Sequence, residues 1–354
     1  MQSGQIQQSK RPSTSYPGLD ILKFVLAFFV LAEHVPLIAS LSGISRLIGM
    51  AILHPAVDIF FAISGFLCVD KVMHMPEKDR PAALERRLRS SSKTILLLYV
   101  AWSIIYLPLN VVLSYAAGDL TKQNILPWIL NYIRVFIFSG MWIYAPHLWY
   151  LLALGLGFLI LYWCIRHKIS ISAVFIISSL LAAVGSVMPW LTQHSVFIDI
   201  AYRHTFADTR NVVFTGMLYI CAGALIALHQ DKLHIPFPAL LLMALLSLVG
   251  LTLVPNELMW TICCTIFVIL IIEIAIYHKA TQAYPSMRLW GVAIYLLHVY
   301  VLKVIQFLTP RLGFTIIDIN VTNMIFASIC SLLLACVLTP ITRNHKSLKF
   351  LFHG

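Results

Sequence analysis

An acid, a base and an imidazole share one stripe of a stretch apolar enough to cross a membrane. The stretch runs Gly18-Leu-Asp-Ile-Leu-Lys23-Phe-Val-Leu-Ala-Phe-Phe-Val-Leu-Ala-Glu-His34-Val35. On a helix of about 100° per residue, the step from Lys23 to His34 returns to within about 20° of the same face, with a rise of roughly 16 Å. Asp20 lies on that face one turn below Lys23. Ionisable groups inside a span usually face a bundle interior or a water-filled path, and they mark a working site by default. Histidine is the side chain suited to taking and returning a proton near neutral pH. The plainer alternative, in which Lys23 snorkels and His34 bonds a backbone carbonyl of another helix, accounts for either residue alone better than for the aligned set.

Two further groups carry chemistry. In Leu47-Ile-Gly-Met-Ala-Ile-Leu-His-Pro-Ala-Val-Asp58-Ile-Phe-Phe-Ala-Ile-Ser-Gly65, the residues Asp58, Ala62 and Gly65 fall on one helix face. Small residues there permit close helix approach beside a buried acid. Asp58 either orients a basic partner such as Lys23 or His34, or makes a structural hydrogen bond. In Glu85-Arg-Arg-Leu-Arg89-Ser-Ser-Ser-Lys93, Arg86 and Arg89 stand one turn apart and can present paired forks to phosphates. The same cluster also reads as a plain topology signal.

These residues need elements to hold them, and composition says which. Of the 354 residues, 60% are hydrophobic and 11% charged, and the mean hydropathy is +0.87. Soluble domains carry about 25% charged residues. The chain reads as an all-α polytopic integral membrane protein, because its apolar runs are continuous over about 20 residues rather than alternating as in a β-barrel. All seven cysteines sit in apolar runs without metal-type spacing, and the thirteen histidines are scattered, so no metal is expected. The net charge of +11 is placed in loops, where it sets topology and gives no sign of nucleic-acid binding.

About ten spans are expected, over 19–40, 47–69, 93–116, 146–166, 169–188, 210–229, 236–254, 258–278, 288–308 and 320–341. Residues 1–17 read as a disordered cytoplasmic tail, 18–345 as one membrane domain and 346–354 as a second cytoplasmic tail. The first run is longer than a signal-peptide core and is read as a retained span. The stretch 125–145 contains Asn131 and Arg134 and decides the topology of everything after it. If it does not cross, seventeen of the 25 lysines and arginines lie on the side of the N-terminus and six on the other, these being Arg46, Lys122, Arg134, Arg203, Arg210 and Arg311. The positive-inside rule then puts both termini in the cytoplasm and makes 125–145 re-entrant or interfacial.

In this order, the motifs resemble the membrane-bound acyltransferase 3 family over nearly the whole chain. The matching pieces are the basic-x10-His of Lys23–His34, Val57-Asp-Ile-Phe-Phe-Ala-Ile-Ser-Gly-Phe66 and the Arg-x-x-Arg of Arg86–Arg89. His147-Leu-Trp-Tyr-Leu151, Arg210-Asn211 and Ile294-Tyr-Leu-Leu-His298 follow. The resemblance implies a ten-helix enzyme of a bacterial plasma (inner) membrane that O-acylates a surface glycan from cytoplasmic acyl-CoA, most often acetyl-CoA. Two departures stand out: Lys23 replaces a common arginine, and Ser90-Ser-Ser-Lys93 follows Arg89 where many members have arginine, a hydrophobic residue and proline.

The resemblance also implies roles. Arg86, Arg87 and Arg89 hold the phosphates of acyl-CoA, whose arm threads between the first three spans. His34 is the general base, or carries the acyl group briefly, while Lys23 and Asp58 set charge in the channel and Asp58 orients His34. His147, Trp149, Arg210 and Asn211 meet the glycan acceptor on the outer side. The aromatic and polar loop Trp190–His204 suits a sugar surface but equally an interfacial belt. Glu273 and His298 either line the cavity or, the favoured reading, make helix-to-helix hydrogen bonds, and Lys303 snorkels outward. Esterase-like domains appended in some members have no counterpart here, so a partner in surface-polysaccharide synthesis is compatible with the reading. The competing readings are a glycan exporter of the same family and a membrane anchor for a partner enzyme.

Overall fold

The computed structural model describes residues 15–35, 37–205, 208–230, 235–254, 256–277, 283–308, 319–344 and 351–352. Most of the tail expected over 1–17, together with Pro36, Lys232, Lys279, Arg311 and residues 346–350, lies outside them. No strand occurs among the described residues. The helices are α1 (Pro17–His34), α2 (Leu37–Ser40), α3 (Gly43–Leu53), α4 (Ala56–Met73), α5 (Arg80–Ala117), α6 (Ile125–Phe138), α7 (Trp149–Arg166) and α8 (Ile171–His194). They continue with α9 (Val196–Thr205), α10 (Met217–His229), α11 (Phe237–Leu253), α12 (Glu257–Ile276), α13 (Pro285–Leu308) and α14 (Ile319–Asn344). A 3-10 turn, Pro146–Leu148, leads into α7, and a π-helical turn, Val212–Gly216, leads into α10.

Eight helical segments are long and apolar enough to cross a membrane by length and composition. Among the described residues, two expected spans fall short for visible reasons. Within its 18 residues α1 holds Asp20, Lys23 and Glu33, and α11 has only 17 residues, a rise of about 26 Å. The protein is an integral membrane protein.

Two predicted spans are broken by proline. The first ends as a helix at His34, because Val35 takes the extended conformation (φ −98°, ψ 136°) that a following proline imposes. The second divides into α3 and α4 at His54-Pro55. The contested stretch 125–145 forms α6, whose 14 residues rise about 21 Å, short of the roughly 30 Å hydrocarbon core. After α6 the chain reverses at Gly140 (φ +67°), where a Cβ would lie 2.9 Å from the Cα of Trp149.

At the centre stands α4, buried over most of its circumference, as expected of a helix that is hydrophobic all round. It lies along α10, while α1 packs on α13 and α5 on α7. The α1–α13 contact is close: a Cβ on Gly291 would sit 3.2 Å from the carbonyl oxygen of Lys23. That approach positions the site.

Candidate functional site

Three imidazoles meet where α1 ends. His34 is the last residue of α1, His147 sits in the 3-10 turn before α7, and His298 lies in α13. Ring centroids are 5.1 Å apart for His34 and His298, 5.0 Å for His147 and His298, and 6.0 Å for His34 and His147. His147 and His298 are 2% and 0% exposed, whereas His34 is half-buried.

Nδ1 of His298 lies 2.7 Å from the carbonyl oxygen of Tyr295 and 3.1 Å from that of Ile294. Carbonyls only accept, so Nδ1 carries the proton and Nε2 keeps its lone pair. Among the described residues, that Nε2 and both ring nitrogens of His147 are buried without a hydrogen-bond partner. Buried polar atoms left unpaired are costly, so three around one point indicate a place prepared for a ligand. Two tyrosines hold the turn in place. Tyr295 donates to the carbonyl oxygen of His147, and Tyr106 donates to that of Leu296 at 2.9 Å while accepting from the Tyr300 amide at 3.0 Å. The Tyr106 and His147 rings are 5.1 Å apart. Among the described residues no group of three is arranged to hold a metal ion.

The other site residues fall in three places. Asp58 is buried and accepts from the Cys264 thiol at 3.4 Å, so it sits with α12 rather than among the imidazoles. Its helical neighbour in space, Glu33, pairs with His54. At the far end of α1, Lys23 feels the charges of Asp20, Arg288 and Lys71. Asp20 itself accepts from the Tyr284 amide at 3.0 Å and approaches Arg288 at 3.9 Å, tying α1 to the start of α13.

The arginines line a cleft of about 300 Å³ between the end of α4 and the start of α5, with Lys71, Ser90 and Ser91. Helix geometry selects which arginines enter it. With Arg86 at 0°, Ala83, Ser90, Arg87 and Ser91 lie at about 60°, 40°, 100° and 140°, while Arg89 lies at about −60°. Arg86 and Arg87 therefore share the cleft and Arg89 is exposed outside its lining. Among the described residues the buried Nε of Arg87 has no partner, and the Arg87 Nη2 reaches the Leu67 carbonyl oxygen at 3.5 Å.

Trp149 is buried with its ring 5.6 Å from Phe61. Arg210 is exposed and grips Asp208, Nη2 to Oδ2 at 2.6 Å and Nε to Oδ2 at 2.8 Å, while its field reaches His34. Asn211 caps the π-helical turn. Its Oδ1 accepts from the amides of Val213 and Phe214 at 2.8 and 3.0 Å, and its Nδ2 donates to the Asp208 carbonyl oxygen at 2.8 Å. Both polar atoms of Asn211 are thus occupied by backbone. Burial pushes the Asp208 carboxyl up, but the Arg210 charge and hydrogen bonds overcome this and hold it below the usual carboxylate range. A depressed pKa stabilises above the unfolded value and the effect is lost as pH falls through the folded value. Protection against hydrogen exchange in the 208–216 turn, corrected for the intrinsic exchange rate, is therefore expected to fall as the pH drops below the ordinary carboxylate range, and to lose that acid dependence in Asp208→Asn.

Helices able to bury three imidazoles and to hold an arginine cleft define a membrane-embedded protein with an enclosed polar site. The chain belongs to the acyltransferase 3 family, since the model of its acyltransferase domain matches residues 16–340. Among curated proteins, it is 28% identical over 221 residues to an amino-acid racemase of Enterococcus faecalis, covering 60% of this chain and 28% of that protein. It is 26% identical over 338 residues to a serine/alanine racemase of Enterococcus gallinarum, covering 90% of this chain and 45% of that protein. The chain thus spans less than half the length of either racemase. No solved structure matches it.

Proposed function

We propose that the protein moves an acyl group, acetyl in the first instance, from cytoplasmic acyl-CoA to a hydroxyl of a cell-surface or exported glycan. The meeting of His34, His147 and His298 where α1 ends, beside an arginine cleft between the end of α4 and the start of α5, is the observation that carries this reading. In the proposed arrangement ten spans leave both termini in the cytoplasm, with the cleft at the cytoplasmic mouth of a bacterial plasma membrane. The imidazoles then sit toward the outer side, where the acceptor arrives.

Arg86 and Arg87 hold the donor phosphates, with Lys71 adding charge. Lys23 sets charge in the channel that the arm enters. His34 removes the proton from the acceptor hydroxyl, and the oxygen attacks the thioester carbonyl. The carbon–sulfur bond breaks, an ester forms, and the departing thiolate takes the proton back from His34. His298, its Nδ1–H fixed by two carbonyls, offers Nε2 to the His34 ring and sets its tautomer, the role that sequence reasoning gave to Asp58. His147 supplies an N–H to the oxyanion. Trp149 and Arg210 border the acceptor side, and Asn211 acts through the turn that presents Arg210.

Arg86→Ala and Arg87→Ala are each expected to raise the acyl-CoA requirement about tenfold, a loss near the 1.5 kcal/mol of one charge-assisted hydrogen bond, and Arg89→Ala to change it little. Initial rates against acyl-CoA concentration give the ordering. A second reading is a carrier or exporter built on the same helices, since helices with ionisable groups such as Lys23 and Asp58 inside them also suit a secondary carrier. One experiment separates the two. Purified protein in sealed vesicles receives labelled acetyl-CoA on one side and a surface-glycan extract on the other. Label in ester linkage to glycan supports transfer, while unlabelled glycan crossing without acetyl-CoA supports the carrier.

A further inference from the structure

Phe352 falls in a segment expected to be a polar-side tail, yet it is 4% exposed and belongs to the main hydrophobic core. Its ring meets Trp102 of α5 edge-on, centroids 5.8 Å apart at 73°. The carbonyl oxygen of the preceding Leu351 accepts from the Trp102 indole N–H at 3.3 Å.

Trp102 occupies a telling place. Its ring is 6.1 Å from that of Tyr106, which in turn is 5.1 Å from His147. In the other direction, Ser91 lines the arginine cleft. Relative to Ser91, Leu98 and Trp102 lie at about −20° and +20° around α5, and Tyr106 at about +60°. One helix face therefore runs from the cleft past Trp102 to the imidazoles, and Phe352 is seated midway along it.

We propose that the groove at Trp102 receives the arm of the donor thioester, and that Phe352 occupies it as a displaceable plug. The inference rests on the acyl-CoA reading above and adds the path and its control. The chemistry of the exchange is like for like. An arm with amide carbonyls accepts from the same indole N–H that now serves Leu351, and its methylene segments cover the same ring that Phe352 covers. In this proposal the segment between phosphates in the cleft and a thioester at His34 follows the α5 face past Trp102, so plug and arm exclude each other.

Two probes test this on the full chain in lipid nanodiscs. Adenosine 3′,5′-bisphosphate carries the phosphate end without the arm, and a non-transferable thioether analogue of acetyl-CoA carries both. If the plug is seated nine-tenths of the time, Phe352→Ala binds the analogue about tenfold more tightly than wild type, and the bisphosphate equally. Phe352→Trp, which keeps a large ring in the groove, binds the analogue no more tightly than wild type. Equal analogue affinity in Phe352→Ala and wild type overturns the plug, as does loss of bisphosphate binding in Phe352→Ala, which would make Phe352 a packing strut. Failure of both probes on wild type and variants alike would instead remove the acyl-CoA reading on which the inference stands.

Discussion

Alanine in place of His34 is expected to reduce transfer by about 10²- to 10⁴-fold, the range that removal of a positioned acid–base group produces. The bundle should fold unchanged. The His34 ring is half-buried at the end of α1, and the next residue is already extended, so the substitution leaves no helix interior to repair. Neither neighbouring imidazole can replace it. His298 and His147 are 0% and 2% exposed against the half-buried His34, and His147 is enclosed between the rings of Tyr106 and Tyr295. Asp58, bonded to Cys264, should tolerate asparagine with a far smaller loss. The measurement is the initial rate of ester formation at matched protein levels, with melting as the control for folding. A His34→Ala protein keeping more than about a tenth of wild-type rate would end the assignment of His34 as base, since that is less than one charge-assisted bond.

Periodicity made part of this site legible and tertiary contact made the rest. The Lys23–His34 stripe is a property of one helix, so the 3.6-residue repeat exposes it without knowledge of any partner. The small face of Asp58, Ala62 and Gly65 is legible in the same way. His298 is different. A lone histidine in an apolar helix reads as a satisfied core residue, and only the crossing of α1 and α13 at Gly291 brings it to His34. The i, i+3 spacing singled out Arg86 and Arg89, but the end of α4 covers the side of α5 that carries Arg86 and Arg87. The resemblance implies Asn211 at the acceptor, whereas an asparagine just before a helical turn is first of all a cap. Phe352 carried no pattern at all, since two phenylalanines in a short basic segment say nothing of where either packs.

A side chain at Gly65 or Gly223 is expected to destabilise the bundle by about 3 kcal/mol or more, the upper end of overpacking costs. A Cβ on Gly223 would lie 1.8 Å from the carbonyl oxygen of Ala62, and one on Gly65 would lie 2.0 Å from that of Ile220. The obstruction is backbone on both sides, so no side chain can rotate away, and α4 and α10 must separate. Separation strips contacts from Phe61, Ile63, Ile220 and Cys221, each wholly buried. It also displaces Asp58 and Phe61, and through Phe61 the seat of Trp149. The two glycines guard one interface, so their effects should not add: once the first Cβ has parted the helices, the second meets less. Gly250→Ala is the control, because its Cβ would meet the Cys263 sulfur at an ordinary 3.4 Å and alanine favours the helix. Thermal melts in detergent should place Gly65→Ala, Gly223→Ala and their double variant close together and well below wild type, with Gly250→Ala at or above it. A double variant that falls by the sum of the singles would mean that α4 and α10 do not share this contact.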